Sequence, residues 1–525
     1  MRKQVEIFDT TLRDGSQGED VNFSVEDKLA IAEKLDSLGV HYIEGGWPAP
    51  SNVKDREFFR RAKRLKLKHA RLVAFGGTCR PGEPASKSAI VKGALDAETR
   101  DVCIVGKASD FHVEKVLKTS LDENLRILHD TFSFLKKRRQ RVFFDAEHFY
   151  DGYKRNPSYS LSCLMAAFEA GVDALVLCDT NGGSLPWEIE RITAEVRKAF
   201  PGSVLGIHVH NDAELAVANT LAAVGQGVRH VQGTINGYGE RCGNANLCSI
   251  IPDLRFKMGM HSVPDAYIKR LSQVSRFVAS VANLPLNAHQ PYTGGSAFAH
   301  KAGLHIDALI KAPGSYEHMD PAVVGNERKL LASEQSGKAT AVAKAAAFGV
   351  RLKGGSDSAR GFIQLVKQRE LEGYQYEGAD ASLELLMRRH LGSETRYFEL
   401  ESYHVSVERR SAIEAAEATI KIKVKGSRQH TVAEGNGPVN ALDMALRQAL
   451  MPYYPKIKNT ELLDFKVRVL QSSGGTGAKV RVLMQTSDGK KSWNTVGVHE
   501  NIIEASWEAL VDSVEYMLLK SGAKP

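Results

Sequence analysis

Through the first half of the chain, short apolar runs rich in β-branched and aromatic residues alternate with longer stretches whose apolar positions recur three and four residues apart. The short runs predict strands at residues 5–8, 42–45, 71–75, 102–105, 142–144, 174–178, 204–209 and 230–235. The longer stretches predict helices, among them 25–38, 121–135, 161–170 and 213–224, with the third of the series near 86–95. Eight strand–helix units in about 255 residues match the usual size of a (β/α)8 TIM barrel. A doubly wound open sheet is the competing architecture. It needs a Gly-x-Gly-x-x-Gly loop after the first strand, and Asp9-Thr-Thr-Leu-Arg-Asp-Gly15 does not have that form.

Helical periodicity resumes from Pro264 to about Ala282, breaks in the Gly-rich segment 289–296, and dominates a middle section that reaches about Leu391. Gly354-Gly355 and Gly392-Ser-Glu-Thr395 are expected as surface joints. The pattern then changes to a repeat. Residues 418–425 alternate, turn at Gly426-Ser427 and return through 430–433, and a helix opening near Gly435 runs to Leu450. The second copy is 479–485, a turn at Asp488-Gly489, a strand at 493–498 and a helix from Glu500 to Leu519. A β-hairpin followed by one helix cannot bury its apolar face alone, so the two copies are expected to pair. The chain thus divides into a barrel over 1–282, helical linker subdomains over 283–395 and a C-terminal α+β domain over 396–525. Two nucleotide-motif look-alikes fail: Gly474-Gly-Thr-Gly-Ala-Lys479 lacks the P-loop spacing and reads as a hairpin turn, and Gly337-Lys338-Ala339 has no upstream glycine in place.

Composition changes this picture little. Apolar residues make up 43% and charged residues 25%, ordinary for a globular protein. A net charge of +8 over 525 residues is a mild bias without clustered stripes, which argues against nucleic acid as a partner. The densest basic run, Lys136-Lys-Arg-Arg139, closes a predicted helix, where cations complement the dipole; the other reading is contact with an anionic ligand such as CoA. Six cysteines without a Cys-x-x-Cys pair suit free thiols in a reducing compartment. No signal-peptide core opens the sequence and no apolar stretch reaches the length of a membrane span, so the expected location is the cytoplasm, with no membrane partner.

In a barrel the chemistry sits where strands end, at the C-terminal face. Arg13 and Asp14 follow the first strand, and His208 and His210 end the seventh as His-x-His, both pointing to one side. Two imidazoles and a carboxylate leave open positions on a divalent ion, which a chelating substrate can occupy. A 2-oxo acid held there beside an arginine has a polarised carbonyl. Taken singly, the histidines also read as packed or surface residues, and Asp14 as a loop carboxylate paired with Arg13. Glu44, Glu147 and Thr180 end strands two, five and six, where each either orients substrate or water or serves the structure.

Three segments carry a resemblance. Phe8-Asp-Thr-Thr-Leu-Arg-Asp-Gly-Ser-Gln17, His208-Val-His-Asn-Asp212 and Asn236-Gly-Tyr-Gly-Glu-Arg-Cys-Gly-Asn-Ala245 resemble the signatures of the 2-isopropylmalate, homocitrate and citramalate synthase family, in the same order and each at its strand end. The C-terminal repeat is similar to that family's allosteric amino-acid-binding domain. Glu147-His-Phe-Tyr-Asp-Gly-Tyr153, Cys178-Asp-Thr-Asn-Gly-Gly183 and Gly46-Trp-Pro-Ala-Pro-Ser-Asn52 look most like the branch that uses pyruvate. The family motif has a small residue, often alanine, where Cys242 stands, which reads as a packing substitution.

The resemblance implies a Claisen condensation of acetyl-CoA with a 2-oxo acid, then thioester hydrolysis. It implies Asp14, His208 and His210 as ligands of a divalent metal (Mg2+, Mn2+ or Zn2+), with Asn244 beside it. Arg13 would polarise the keto oxygen, Thr180 would hold the oxo-acid carboxylate, and Gln17, Glu44 and Glu147 would support the substrates. Ala302-Gly-Leu-His305 resembles a segment that brings a catalytic histidine to a partner subunit's barrel, and Tyr316 its companion tyrosine, so a homodimer is implied. An unperturbed imidazole titrates near ~6.5, suited to removing a proton from the acetyl methyl group. Isoleucine is the implied effector. The rival readings are a 2-isopropylmalate synthase using 2-oxoisovalerate, a lyase on the same barrel, and an inactive amino-acid-binding regulatory protein.

Overall fold

The computed structural model describes every residue except 1–3, 333–336, 353–354, 394–395, 411–412 and 471–477. It divides into two compact units: residues up to Phe298 with Met319–Glu327, and Ala299–His318 with Arg328–Pro525.

In the first unit eight parallel strands close into a barrel in sequence order. They are β1 (Glu6–Asp9), β2 (Tyr42–Gly46), β3 (Arg71–Gly77), β4 (Asp101–Lys107), β5 (Arg141–Glu147), β6 (Ala174–Asp179), β7 (Leu205–Val209) and β8 (His230–Gly233). Closure is made by β1 on β8, with Ile7 opposite Val231, and by β1 on β2, with Phe8 opposite Tyr42. The expected (β/α)8 barrel is present. Its first helix, Val25–Leu38, starts on a capping box in which Ser24 and Asp27 satisfy each other's backbone N–H groups. It stops at Gly39, whose φ of 88° suits a residue without Cβ. The basic run ending the helix Leu121–Lys136 is spent locally: Lys136 pairs with Asp173, Arg138 donates to the Phe134 carbonyl and Arg139 to that of Leu95.

Side chains two apart on a strand share a face, so each inward column climbs from floor to mouth. Phe8, Tyr42, Phe143 and His230 fill the floor, with the Phe143 and His230 rings stacked at 5.0 Å and Phe8 edge-on to Phe143 at 5.7 Å. His230 is fully buried, and neither ring nitrogen finds a partner among the described residues. Two residues further along come Glu44, Asp145 and Gln232, all buried. Glu147 follows Asp145 by two on β5, and His208 stands opposite Gln232 with His210 two residues further on.

In the second unit, Ala299–His300 pairs in parallel with Lys329–Leu330. Helices Gly303–Lys311, Lys338–Ala347, Gly355–Glu372 and Asp380–His390 make up the middle. Gly355, expected at a joint, opens one of them; Gly354 and residues 394–395 lie outside the described residues, as does most of the 474–479 turn. The repeat is present but larger than expected. Each copy is a three-stranded antiparallel sheet and a helix: Glu399–Arg410, Ile413–Val424, Ser427–Gly435 with Pro438–Leu450, then Glu461–Val469, Val480–Ser487, Ser492–His499 with Ile502–Lys520. The leading strand of each was missed. In Glu461–Val469 the apolar Phe465, Val467 and Val469 alternate with Lys466 and Arg468, yet no position is buried and the strand is held by its backbone ladder. Both copies contribute to one core, where Leu442, Leu446 and Leu450 meet Ala505, Ala509 and Leu518.

Candidate active site

Three segments meet at the C-terminal mouth of the barrel. The turn after β1 presents Arg13 and Asp14, β7 presents His208, the residue after it is His210, and the loop after β8 returns Asn244 against His210 through an isolated bridge. Ligand atoms of Asp14, His208 and His210 lie within 4.8 Å of one another. The Asp14 Oδ2 atom is 3.1 Å from His208 Nε2 and 4.0 Å from His210 Nε2, and the two Nε2 atoms are 3.4 Å apart. All three side chains are buried.

The electrostatics keep Asp14 and His210 in ligand form, whereas, against its burial, the Asp14 carboxylate raises the His208 imidazole above its usual value. Burial opposes ionisation of Asp14, but the Arg13 guanidinium and the two imidazoles outweigh it and hold the carboxyl far below the ordinary range. Burial, then His208, pushes His210 down to about 4, so it is neutral at physiological pH. Asn244 is buried, with its Oδ1 lacking a partner among the described residues while its Nδ2 donates to the Tyr238 carbonyl at 3.3 Å. A carboxylate, two imidazoles and an orphaned amide oxygen fit a divalent cation by their donor chemistry.

Arg13 is fixed on two sides. Its Nε donates to Glu44 Oε2 at 2.6 Å, its guanidinium lies 3.9 Å above the Phe75 ring, and its Nη1 is 3.5 Å from Asp14. Burial raises Glu44 to about 7 despite Arg13. Phe75 in turn meets Trp47 edge-on at 5.5 Å, and Asp55 holds that loop by accepting from the Trp47 and Asn52 N–H groups and pairing with buried Lys28. Glu147 pairs with Lys107 at the ends of β5 and β4. The Thr180 hydroxyl accepts from the His148 backbone N–H at 2.8 Å. Gln17 ends a short 3-10 turn and is exposed.

His305 and Tyr316 belong to the second unit, where their rings stack at 4.0 Å and both are exposed. They are brought to each other and are not members of the Asp14 cluster. Beside them, Glu317 is bound by Arg328 and by His300 at 3.2 Å.

Several contributors escaped the sequence reading: Gln232 and Asp145 behind His208, Lys107 beside Glu147, and Arg241, which bridges Asp212 and the Thr180 carbonyl. For the first two a signal existed. Polar residues at inward positions of buried strands must find partners, and Gln232 and Asp145 share the inward parity of His230 and Phe143.

Comparison with known proteins supplies the context. Residues 4–278 match the HMGL-like family, 292–369 the homocitrate synthase post-HMGL domain-like family, and 377–518 the LeuA allosteric (dimerisation) domain. The chain is 51% identical to an (R)-citramalate synthase of Aquifex aeolicus, with 99% of each chain covered. It is likewise 51% identical to one of Geobacter sulfurreducens, with 98% of each covered. A 2-isopropylmalate synthase of Methanocaldococcus jannaschii is 30% identical, over 98% of this chain and 95% of its own.

Proposed function

Because the chain belongs to the HMGL-like family and, within it, to the (R)-citramalate synthases, we propose that its barrel mouth joins acetyl-CoA to pyruvate and hydrolyses the thioester, giving (R)-citramalate and CoA. The observation that carries the chemistry is the convergence of Asp14, His208, His210 and the orphaned Asn244 oxygen beside a fixed Arg13. These four residues would hold a divalent cation, Mg2+, Mn2+ or Zn2+, which supplies Lewis acidity to a chelating 2-oxo acid.

The chain's own groups do the rest. With Nε committed to Glu44, the terminal N–H groups of Arg13 are its donors to the keto oxygen, where negative charge develops. Since the Thr180 hydroxyl accepts from His148, its own hydrogen is left to donate to the substrate carboxylate. Glu147, oriented by Lys107, and Gln17 position substrate and water. His305, backed by Tyr316, takes the acetyl proton, reaching the barrel of a partner subunit as the family resemblance implies. The acetyl carbon then attacks the keto carbon of pyruvate, and water cleaves the thioester.

Identities of 51% to (R)-citramalate synthases against 30% to a 2-isopropylmalate synthase support pyruvate over 2-oxoisovalerate. We further infer a homodimeric, cytoplasmic enzyme of isoleucine biosynthesis. Six free cysteines, five of them buried, suit a reducing compartment, and no helix among the described residues is long and apolar enough to cross a membrane. Isoleucine as feedback effector is supported by a cavity of about 310 Å³ in the repeat, where Leu462, Phe465, Met484 and Trp493 form an apolar wall beside Asp443 and Arg447. The test is thiol release from acetyl-CoA with a panel of oxo acids. Pyruvate is expected to show the highest kcat/KM, and a preference for 2-oxoisovalerate would reassign the enzyme.

A further inference from the structure

Behind the metal-type cluster a second set of polar side chains crosses the barrel interior. The His208 Nδ1 atom is 2.8 Å from Gln232 Oε1, and Gln232 Nε2 is 2.8 Å from Asp145 Oδ1. The three residues sit on β7, β8 and β5, so the connection runs from one wall of the barrel to the other. Gln232 is fully buried and Asp145 nearly so. Gln232 Nε2 has one further, longer contact, to Cys103 Sγ at 3.9 Å.

The direction of these bonds follows from donor chemistry. A carboxylate only accepts, so Asp145 takes the amide N–H of Gln232 and turns its carbonyl oxygen toward β7. A carbonyl oxygen also only accepts, so His208 Nδ1 must carry its hydrogen. In the neutral ring that leaves Nε2 bare, and Nε2 is the atom 3.1 Å from Asp14 and 3.4 Å from His210 Nε2. An inverted amide would present N–H to Nδ1, shift the hydrogen to Nε2 and remove one ligand.

We propose that Gln232 and Asp145 are positioning residues, a relay that locks His208 in the Nδ1–H tautomer and keeps its Nε2 lone pair turned to the cation site. Metal-bound histidines commonly donate their other N–H to an outer partner, and losing that partner weakens the metal by about 10–100-fold. Here the partner is an amide whose own orientation is set one residue further out.

The relay presupposes the cation site at the barrel mouth, and the experiment separates the two. Mn2+ dissociation constants are measured by calorimetry on the full-length protein without substrates, with unfolding curves of each variant alongside. Gln232→Leu is expected to weaken Mn2+ by about 10–100-fold. Asp145→Asn keeps an oxygen to accept from Gln232 and is expected to stay within a few-fold of the parent. The swapped pair Asp145→Asn with Gln232→Glu moves the carboxylate to position 232, where it still accepts from Nδ1 and takes an N–H from the amide introduced at position 145. That double variant is expected to recover the parent's affinity, a rescue that loss of packing alone does not produce. If the parent binds no Mn2+, the cation site and the relay both fall. If the parent binds and Gln232→Leu binds equally well, the relay alone falls. A swapped pair as weak as Gln232→Leu also overturns it, and remains measurable should Gln232→Leu fail to fold.

Discussion

Arg13 meets three demands at once: an ion pair with buried Glu44, a stacked face on Phe75, and proximity to Asp14. A lysine meets only the charge, because a single ammonium has no planar fork. Arg13→Lys is therefore expected to lower kcat by roughly 10²-fold, the scale of one lost oxyanion donor, with Mn2+ affinity nearly unchanged. Undiminished turnover in the thiol-release assay would leave Arg13 a structural role only. At the barrel floor, His230 makes a prediction of a different kind. Burial, aided by His41 and Arg141, lowers it to about 3, against ~6.5 when unfolded. The folded state therefore keeps it neutral, and the stability linked to it is complete above about pH 6.5 and drains away as pH falls toward 3. In His230→Phe the melting temperature is expected to fall less steeply between pH 6.5 and 4, the remaining slope coming partly from His41, which burial also lowers to about 4. An unchanged slope would place the acid sensitivity elsewhere. Single residues were legible unevenly: His208 and His210 announce themselves by their spacing, whereas Gln232 and Asp145 stand 87 positions apart and acquire meaning only when the barrel closes.

The loop after β8 shows how an element delivers one atom. Asn244 reaches the site because the chain folds back on itself: Asn244 N–H donates to the Gly237 carbonyl at 3.0 Å, and the Gly243 carbonyl accepts from Asn211. Gly243 has φ of 89°, and a Cβ there would stand 2.0 Å from the Gly237 oxygen. Gly243→Ala must open the loop. It is expected to cost about 1–3 kcal/mol in denaturant unfolding and to weaken Mn2+ together with kcat, because the Asn244 oxygen moves with the backbone. Full Mn2+ affinity in that variant would remove Asn244 from the site. Elements with a buried face were readable in advance: the helix Val25–Leu38 carries cap, stripe and stop in its own residues. The two leading strands of the C-terminal sheets were missed although Tyr403-His-Val-Ser-Val407 and Phe465-Lys-Val-Arg-Val469 carry the period-2 alternation of a strand.

At the scale of the molecule, the C-terminal repeat is expected to answer to isoleucine. A signal from it must pass as a coupling free energy, typically ~1–3 kcal/mol. Ending the chain at residue 395 removes both sheets and both helices of the repeat while leaving Asp14, His208 and His210 in place, so isoleucine sensitivity should disappear. Activity should also drop, because the segment carrying His305 shares its compact unit with the repeat. Inhibition titrations on the two forms decide this, and a full-length enzyme indifferent to isoleucine and its branched-chain relatives would make the repeat a dimerisation device. The barrel and the repeat each announced themselves by a change of period, whereas the structure forms two compact units in which most of the helical middle belongs with the repeat. The packing of Leu442 and Leu446 against Ala505 and Ala509 follows from the same need of two half-covered layers for each other. The sealed aromatic floor of Phe8, Tyr42, Phe143 and His230 has a last consequence, and it concerns time. A vessel closed at the bottom has one doorway. The small oxo acid must settle at the deep ligands before the bulky thioester stands across the entrance, and the departing CoA must clear that entrance before citramalate can leave. Turnover should accordingly be sequential with a compulsory order, pyruvate entering first and citramalate leaving last, so that in steady-state kinetics citramalate competes with pyruvate and not with acetyl-CoA.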